Sequence, residues 1–142
     1  MPTPGMEDYL EQMYILTLDR GYTRVTDVAE ALGVHTSSVS RMARKLGASA
    51  YIVYEKYGRL SLTEKGLTAG KRLLERHEIL EQFLELVGVP DPSIVDEVER
   101  MEHYISWSTI NRIHELVQWF HVNPEHKSRL QSQLKEYIDE SS

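Results

Sequence analysis

The sequence predicts a mainly α protein with a small β-wing, a winged helix-turn-helix followed by a second, helical domain. Three observations carry that prediction. Apolar residues recur at helical spacing through most of the 142 residues. Two short amphipathic helices flank a glycine turn at Gly33. A segment rich in strand formers follows them and is broken by Tyr57-Gly58.

Taken in order, Met6, Tyr9, Leu10, Met13 and Tyr14 predict a first helix from about Pro4 to Asp19, stopping before Gly21. A second stripe on that helix reads Asp8, Glu11, Ile15 and Leu18, so two acids share a face with two aliphatic residues. Val25, Val28, Ala29 and Leu32 give a short helix capped by Thr26 and ended by Gly33. Val39, Met42, Ala43 and Leu46 repeat the pattern after Thr36-Ser37. Opposite that second stripe lie Ser37, Arg41 and Arg44, with Ser40 beside them. Small hydroxyls and long cations on an outward helix face suit a major groove, where they reach base edges and phosphates.

Tyr51-Ile52-Val53-Tyr54 and Arg59-Leu60-Ser61-Leu62 read as the two strands of a wing, with Lys56 and Arg59 at its tip suited to phosphate contact. Thr63-Glu64-Lys65-Gly66 then caps a long helix to about Val87, with Leu67, Leu73, Leu74, Leu80 and Leu84 on its buried side. His77 falls on that same side. Pro90-Asp91-Pro92 breaks the chain, and Ser93 opens a helix with Val95, Val98, Met101 and Ile105 inward. Glu99, Glu102 and His103 run along its flank at i, i+3 and i+4, where side chains converge. Two further helices follow, one around Ser108 to Phe120 and one opened by Asn123-Pro124. The expected division is 1–72, the winged helix-turn-helix, and 73–142, a helical metal-binding and dimerisation domain. The large apolar residues of the back half are expected to pack against a second copy, as a homodimer.

The net charge of −6 hides an asymmetry: residues 1–72 hold 10 Lys+Arg against 8 Asp+Glu, whereas residues 73–142 hold 6 against 14. Basic charge concentrates at Arg41, Arg44, Lys45, Lys56, Arg59 and Lys65, as a surface facing double-stranded DNA requires. There is no cysteine, which excludes disulfides and cysteine-type zinc knuckles. No apolar run approaches the roughly 20 residues that cross a bilayer, and the first residues lack a secretory pattern. The expectation is a cytoplasmic protein with no membrane partner.

Asp8, Glu11, His77, Glu99, Glu102 and His103 form the candidate metal site. All are carboxylates or imidazoles, so an ion held there accepts oxygen and nitrogen without thiolate. His114, His121 and His126 have no acidic companions at matching spacing and read as surface or cap residues. An enzyme is not expected. Helical di-iron sites need Glu three residues before His, and the residues at that offset are Leu32, Leu74, Arg100, Asn111, Gln118 and Asn123. No H-E-x-x-H motif, phosphate loop or nucleophile elbow is present, and no small-molecule substrate is expected.

From about residue 4 to 137 the chain resembles the iron-dependent, diphtheria-toxin-repressor-like family of bacterial transcription factors, and within it the short manganese-responsive members. The resemblance rests on Met6-Glu7-Asp8-Tyr9-Leu10-Glu11, Thr36-Ser37-Ser38-Val39-Ser40, Arg76-His77-Glu78 and Glu99-Arg100-Met101-Glu102-His103. It implies a winged-helix DNA-binding domain joined to a helical dimerisation domain, with a binuclear metal site that switches on operator binding. The six candidate ligands match the manganese-responsive pattern position for position. Iron-responsive members typically carry a methionine and a cysteine at the positions of Asp8 and Glu99. Many members carry a C-terminal barrel, which these 142 residues are expected not to include.

The residue chemistry leads the same way. Mn²⁺ lies at the weak end of the divalent affinity order and is favoured by oxygen-rich sites of higher coordination. Four carboxylates balance two divalent ions, so two Mn²⁺ per subunit are expected, and the resemblance implies that they activate a repressor of manganese uptake genes. The alternatives are a winged-helix regulator that responds to Fe, Zn or no metal, and a dinuclear metalloenzyme.

Overall fold

In the computed structural model, which describes residues 2–141 and side chains through residue 136, Thr3 opens the first helix. Its hydroxyl accepts from the Met6 N–H at 3.2 Å, and Pro4 stands at the helix start, where a missing N–H costs nothing. Helix α1 (Pro4–Thr17) buries Leu10 and Met13. It ends two residues earlier than the apolar pattern suggests. There the Thr17 hydroxyl donates to the Tyr14 carbonyl at 2.9 Å, and Gly21 takes a left-handed φ of 81° that turns the chain.

Helices α2 (Val25–Leu32) and α3 (Thr36–Ala48) form the helix-turn-helix, with Gly33 at φ 67° closing α2 as its spacing predicts. Thr26 does not cap α2. Arg24 occupies the cap position without a side-chain capping bond, because the preceding residues are extended and carry the helix start back to Val25. Leu10, Met13, Val28, Val39, Ala43, Leu46 and Leu60 are fully buried and form the core of this unit.

The wing comprises strands β2 (Ile52–Tyr54) and β3 (Arg59–Leu62), paired antiparallel with Tyr54 opposite Leu60. Between them a single 3₁₀ turn, Lys56–Gly58, holds Tyr57 at φ 64°. A strand absent from the sequence reading, β1 (Thr23–Arg24), pairs with the free edge of β3, giving the order β1-β3-β2. Two residues are too few to show alternation.

Helix α4 (Glu64–Leu86) starts where Thr63 accepts from the Gly66 N–H at 3.1 Å and donates to the Ala50 carbonyl at 2.6 Å. Leu73, Leu80 and Leu84 are buried as expected, but Leu67 is 47% exposed. Leu67 lies about 120° around the helix from Leu73, and the inward face of the first turns belongs to Gly66 and Gly70. Neither glycine has room for a Cβ: one at Gly66 would stand 1.9 Å from the Tyr51 carbonyl oxygen, and one at Gly70 would stand 2.6 Å from Tyr14 Cβ.

The chain divides into two compact units inside α4, one ending at Leu74 and the other starting at Glu75. In the second unit, α5 (Asp91–Met101), a 3₁₀ turn at Glu102–Tyr104, α6 (Trp107–Val122) and α7 (Pro124–Ser141) follow the second half of α4. Leu80, Leu84, Ile94, Val98 and Ile110 make its core. Val95, expected inward, is 50% exposed. Pro92 in the first turn lets the helix start at Asp91, and Ile94 and Val98, four residues apart, take the centre of the buried face. Ser106 caps α6 by accepting from the Thr109 N–H at 3.2 Å. Leu116, Trp119 and Val122 stand exposed along α6. Among the described residues, no helix is long and apolar enough to cross a membrane.

Candidate metal centre and nucleic-acid interface

Among the described residues of the second unit, Glu102 is the most buried acid, with a side chain only 2% exposed. An isolated carboxylate in such a place loses its hydration without return. Here its two oxygens face two imidazoles: Oε2 lies 2.9 Å from His77 Nδ1, and Oε1 lies 3.6 Å from His103 Nε2. The other nitrogen of His77, Nε2, lies 2.5 Å from Glu81 Oε1, one helical turn along α4. Arg76, also buried, donates from Nη2 to His103 Nδ1 at 3.3 Å and sits over the Trp107 ring at 5.2 Å.

Local folding explains this gathering. His77 projects from α4 beside the buried Leu73 and Leu80, and the 3₁₀ turn delivers Glu102 and His103 together. The sequence reading put Glu99, Glu102 and His103 on one continuous helix, but α5 stops at Met101. Tightening the backbone at that point turns Glu102 inward, while Glu99 stays exposed on α5. In the first unit, Asp8 and Glu11 lie three residues apart on α1, Asp8 exposed and Glu11 half-buried. The fit to a divalent cation is a matter of donor chemistry. A buried carboxylate flanked by two imidazoles offers only oxygen and nitrogen, a set that suits ions such as Mn²⁺, Fe²⁺ or Zn²⁺.

In the first unit, α3 turns Val39, Ala43 and Leu46 inward and leaves Thr36, Ser37, Arg41 and Arg44 exposed, with Ser38 and Ser40 half-buried. The Tyr54 hydroxyl donates to Ser40 Oγ at 3.3 Å, which ties the recognition helix to the wing. Lys56 and Arg59 are exposed at the wing tip. Lys65, exposed as well, is tethered: its ammonium donates to the Ser49 carbonyl at 2.8 Å and lies 4.2 Å over the Tyr51 ring. The sequence reading missed a cluster on the β1 side of the wing, where Arg20, Arg24 and Arg59 surround the ring of Tyr22. Arg24 reaches Arg59 only through β1, so no motif in the sequence announces the pair.

Residues 1–60 match the family model described as iron dependent repressor, N-terminal DNA binding domain. Residues 63–131 match iron dependent repressor, metal binding and dimerisation domain. The chain belongs to the iron-dependent repressor family. Among relatives of this family member, the HTH-type transcriptional regulator MntR of Bacillus subtilis (strain 168) is 52% identical over 132 residues, covering 93% of each chain. The regulator of the same name from Geobacillus kaustophilus (strain HTA426) is 58% identical over 120 residues, 84% of this chain and 85% of that one. Among solved structures, the manganese regulator SloR superposes with a TM-score of 0.70 at 27% identity, covering 84% of this chain and 55% of that one. A manganese-dependent transcriptional repressor in complex with manganese gives 0.71 at 28% identity, covering 80% and 52%. This iron-dependent repressor family chain thus spans about half the length of those two solved chains.

Proposed function

We propose that this protein is a manganese-dependent transcriptional regulator that represses manganese uptake genes, binding double-stranded operator DNA as a homodimer when a binuclear site is filled. The observation that carries the reading is Glu102, a carboxylate buried between two imidazoles on a chain more than half identical to regulators named MntR over most of its length.

The site draws on Asp8, Glu11, Glu99 and Glu102 as carboxylates and on His77 and His103 as imidazoles. Two Mn²⁺ per subunit supply the charge that lets four carboxylates share one place. Asp8, Glu11, Glu99 and the already desolvated Glu102 would supply carboxylate oxygens, and His77 and His103 would supply imidazole nitrogens. An ion that binds the DNA-competent arrangement more tightly than the others would couple occupancy to DNA affinity.

On the DNA side, Thr36, Ser37, Ser38 and Ser40 are the residues for base edges and nearby phosphates, with Arg41, Arg44, Lys56 and Arg59 for the backbone. The exposed Leu116, Trp119 and Val122 of α6 support burial against a second copy. In a two-fold dimer, recognition helices have to match half-sites about 34 Å apart or a multiple of it. Operator DNA sets the working compartment as the cytoplasm.

The test is fluorescence anisotropy on a palindromic operator titrated separately with Mn²⁺, Fe²⁺ and Zn²⁺ and reversed with a chelator. Binding that rises with Mn²⁺ and collapses on chelation is expected. Binding indifferent to every metal would sink the reading.

A further inference from the structure

Arg24 and Arg59 are direct partners across the β1–β3 ladder, and their guanidinium carbons lie 5.6 and 4.2 Å from the centroid of one ring, that of Tyr22. Like charges set opposite one another on a ladder repel and work against strand pairing. A strand needed only to close the wing would be better served by a neutral or acidic residue opposite Arg59.

The charges around this ring are unequally satisfied. Arg20, whose guanidinium carbon lies 4.6 Å from the ring centroid, is neutralised by Asp27 at 2.7 Å and also donates from Nε to the Tyr22 carbonyl at 3.2 Å. Arg59 has Glu55 at 3.8 Å, both side chains about half exposed, a pairing that water largely screens. Arg24 has no carboxylate partner among the described residues, and its Nη1 makes a long 3.4 Å bond to the Tyr57 carbonyl. The negative face of the ring eases the repulsion between the two guanidinium groups without neutralising either. An anion placed between them does neutralise them. Two planar forks side by side match the oxygens of a phosphodiester. Both cations are exposed and lie on the wing whose β2 strand is tied to the recognition helix, which points to the anion of a nucleic-acid backbone.

We propose that Arg24 and Arg59 clamp a DNA backbone phosphate on the β1 side of the wing, and that Tyr22 is the positioning residue that holds the two guanidinium groups together. The clamp rests on the regulator reading above and adds Arg24 and Tyr22 to it.

The test uses the full chain loaded with Mn²⁺, as R24Q, Y22L, Y22F and the unaltered protein. The probes are a duplex selected by the unaltered protein from a random-sequence library and a scrambled duplex of the same composition, each titrated over a salt series. R24Q is expected to weaken binding to both duplexes by the same factor and to lower the slope of log affinity against log salt by about one. Y22L should do likewise, and Y22F, which keeps the ring, should match the unaltered protein. An R24Q protein that binds DNA with an unchanged slope overturns the clamp, and because Arg24 is exposed this variant tests it even if Y22L fails to fold. A loss in Y22F equal to that in Y22L overturns the role of the ring. Failure of the unaltered protein to bind either duplex with Mn²⁺ overturns the regulator reading itself, a result distinct from an unchanged slope.

Discussion

His77 Nδ1 stands 2.9 Å from Glu102 Oε2, closing 25 residues of sequence inside the second unit. The contact joins a long helix to a short 3₁₀ turn, and it places an acid with almost no exposed surface against a base. Replacing Glu102 with Gln keeps the shape and removes the charge. Mn²⁺ affinity, read by equilibrium dialysis without DNA, should fall by more than the roughly 10- to 100-fold that losing an outer-sphere partner costs. Retained stoichiometry and affinity would remove Glu102 from the site.

Asp8 carries a separate prediction. Asp8→Met replaces a hard oxygen donor by a thioether, which disfavours Mn²⁺ relative to softer ions. The Mn²⁺ concentration needed for operator binding should rise at least tenfold, measured by anisotropy. An unchanged activation curve contradicts the assignment of Asp8.

Gly66 is predicted to be irreplaceable for packing. A methyl group there would meet the Tyr51 carbonyl oxygen at 1.9 Å, and a main-chain atom cannot swing aside as a side chain does. Gly66→Ala should destabilise the protein by about 1–3 kcal/mol, against the usual gain from replacing glycine in a helix. Urea denaturation followed by circular dichroism gives the sign.

Trp119 and Val122 test the second copy. With Val122 73% exposed, substitution by Asp costs the isolated chain little yet places a charge in any apolar interface. Sedimentation velocity should show the V122D protein shifted toward monomer, with its helical content unchanged. A dimer of unaltered stability moves the interface elsewhere.

The sequence made the helix-turn-helix legible because three local signals agree there: an apolar stripe on each helix, a left-handed glycine between them, and cations on the outward face. The wing was legible for a similar reason, with Tyr57-Gly58 between two runs of strand formers. What escaped depends on tertiary pairing. Strand β1 is two residues long, so only its ladder with β3 defines it, and the closeness of Arg24 to Arg59 follows from that register alone. Val95 and Ile94 are both apolar, and periodicity could not say which one the core would take until the helix start at Asp91 set the phase. The metal-site residues were visible as residue types with suggestive spacing. That α5 ends at Met101, so that Glu102 and His103 arrive on a tighter turn, was not, since nothing in the composition of Glu99 to His103 breaks a helix.

Arg76 and His77, neighbours on α4, grip His103 and Glu102, neighbours on the turn, in reverse order. Such a doubled match behaves like a vernier. Slide either strand of chain by one residue and a guanidinium meets the wrong group while an imidazole loses its acid. A single insertion between Arg76 and His77, or between Glu102 and His103, would therefore throw the two grips out of step with each other.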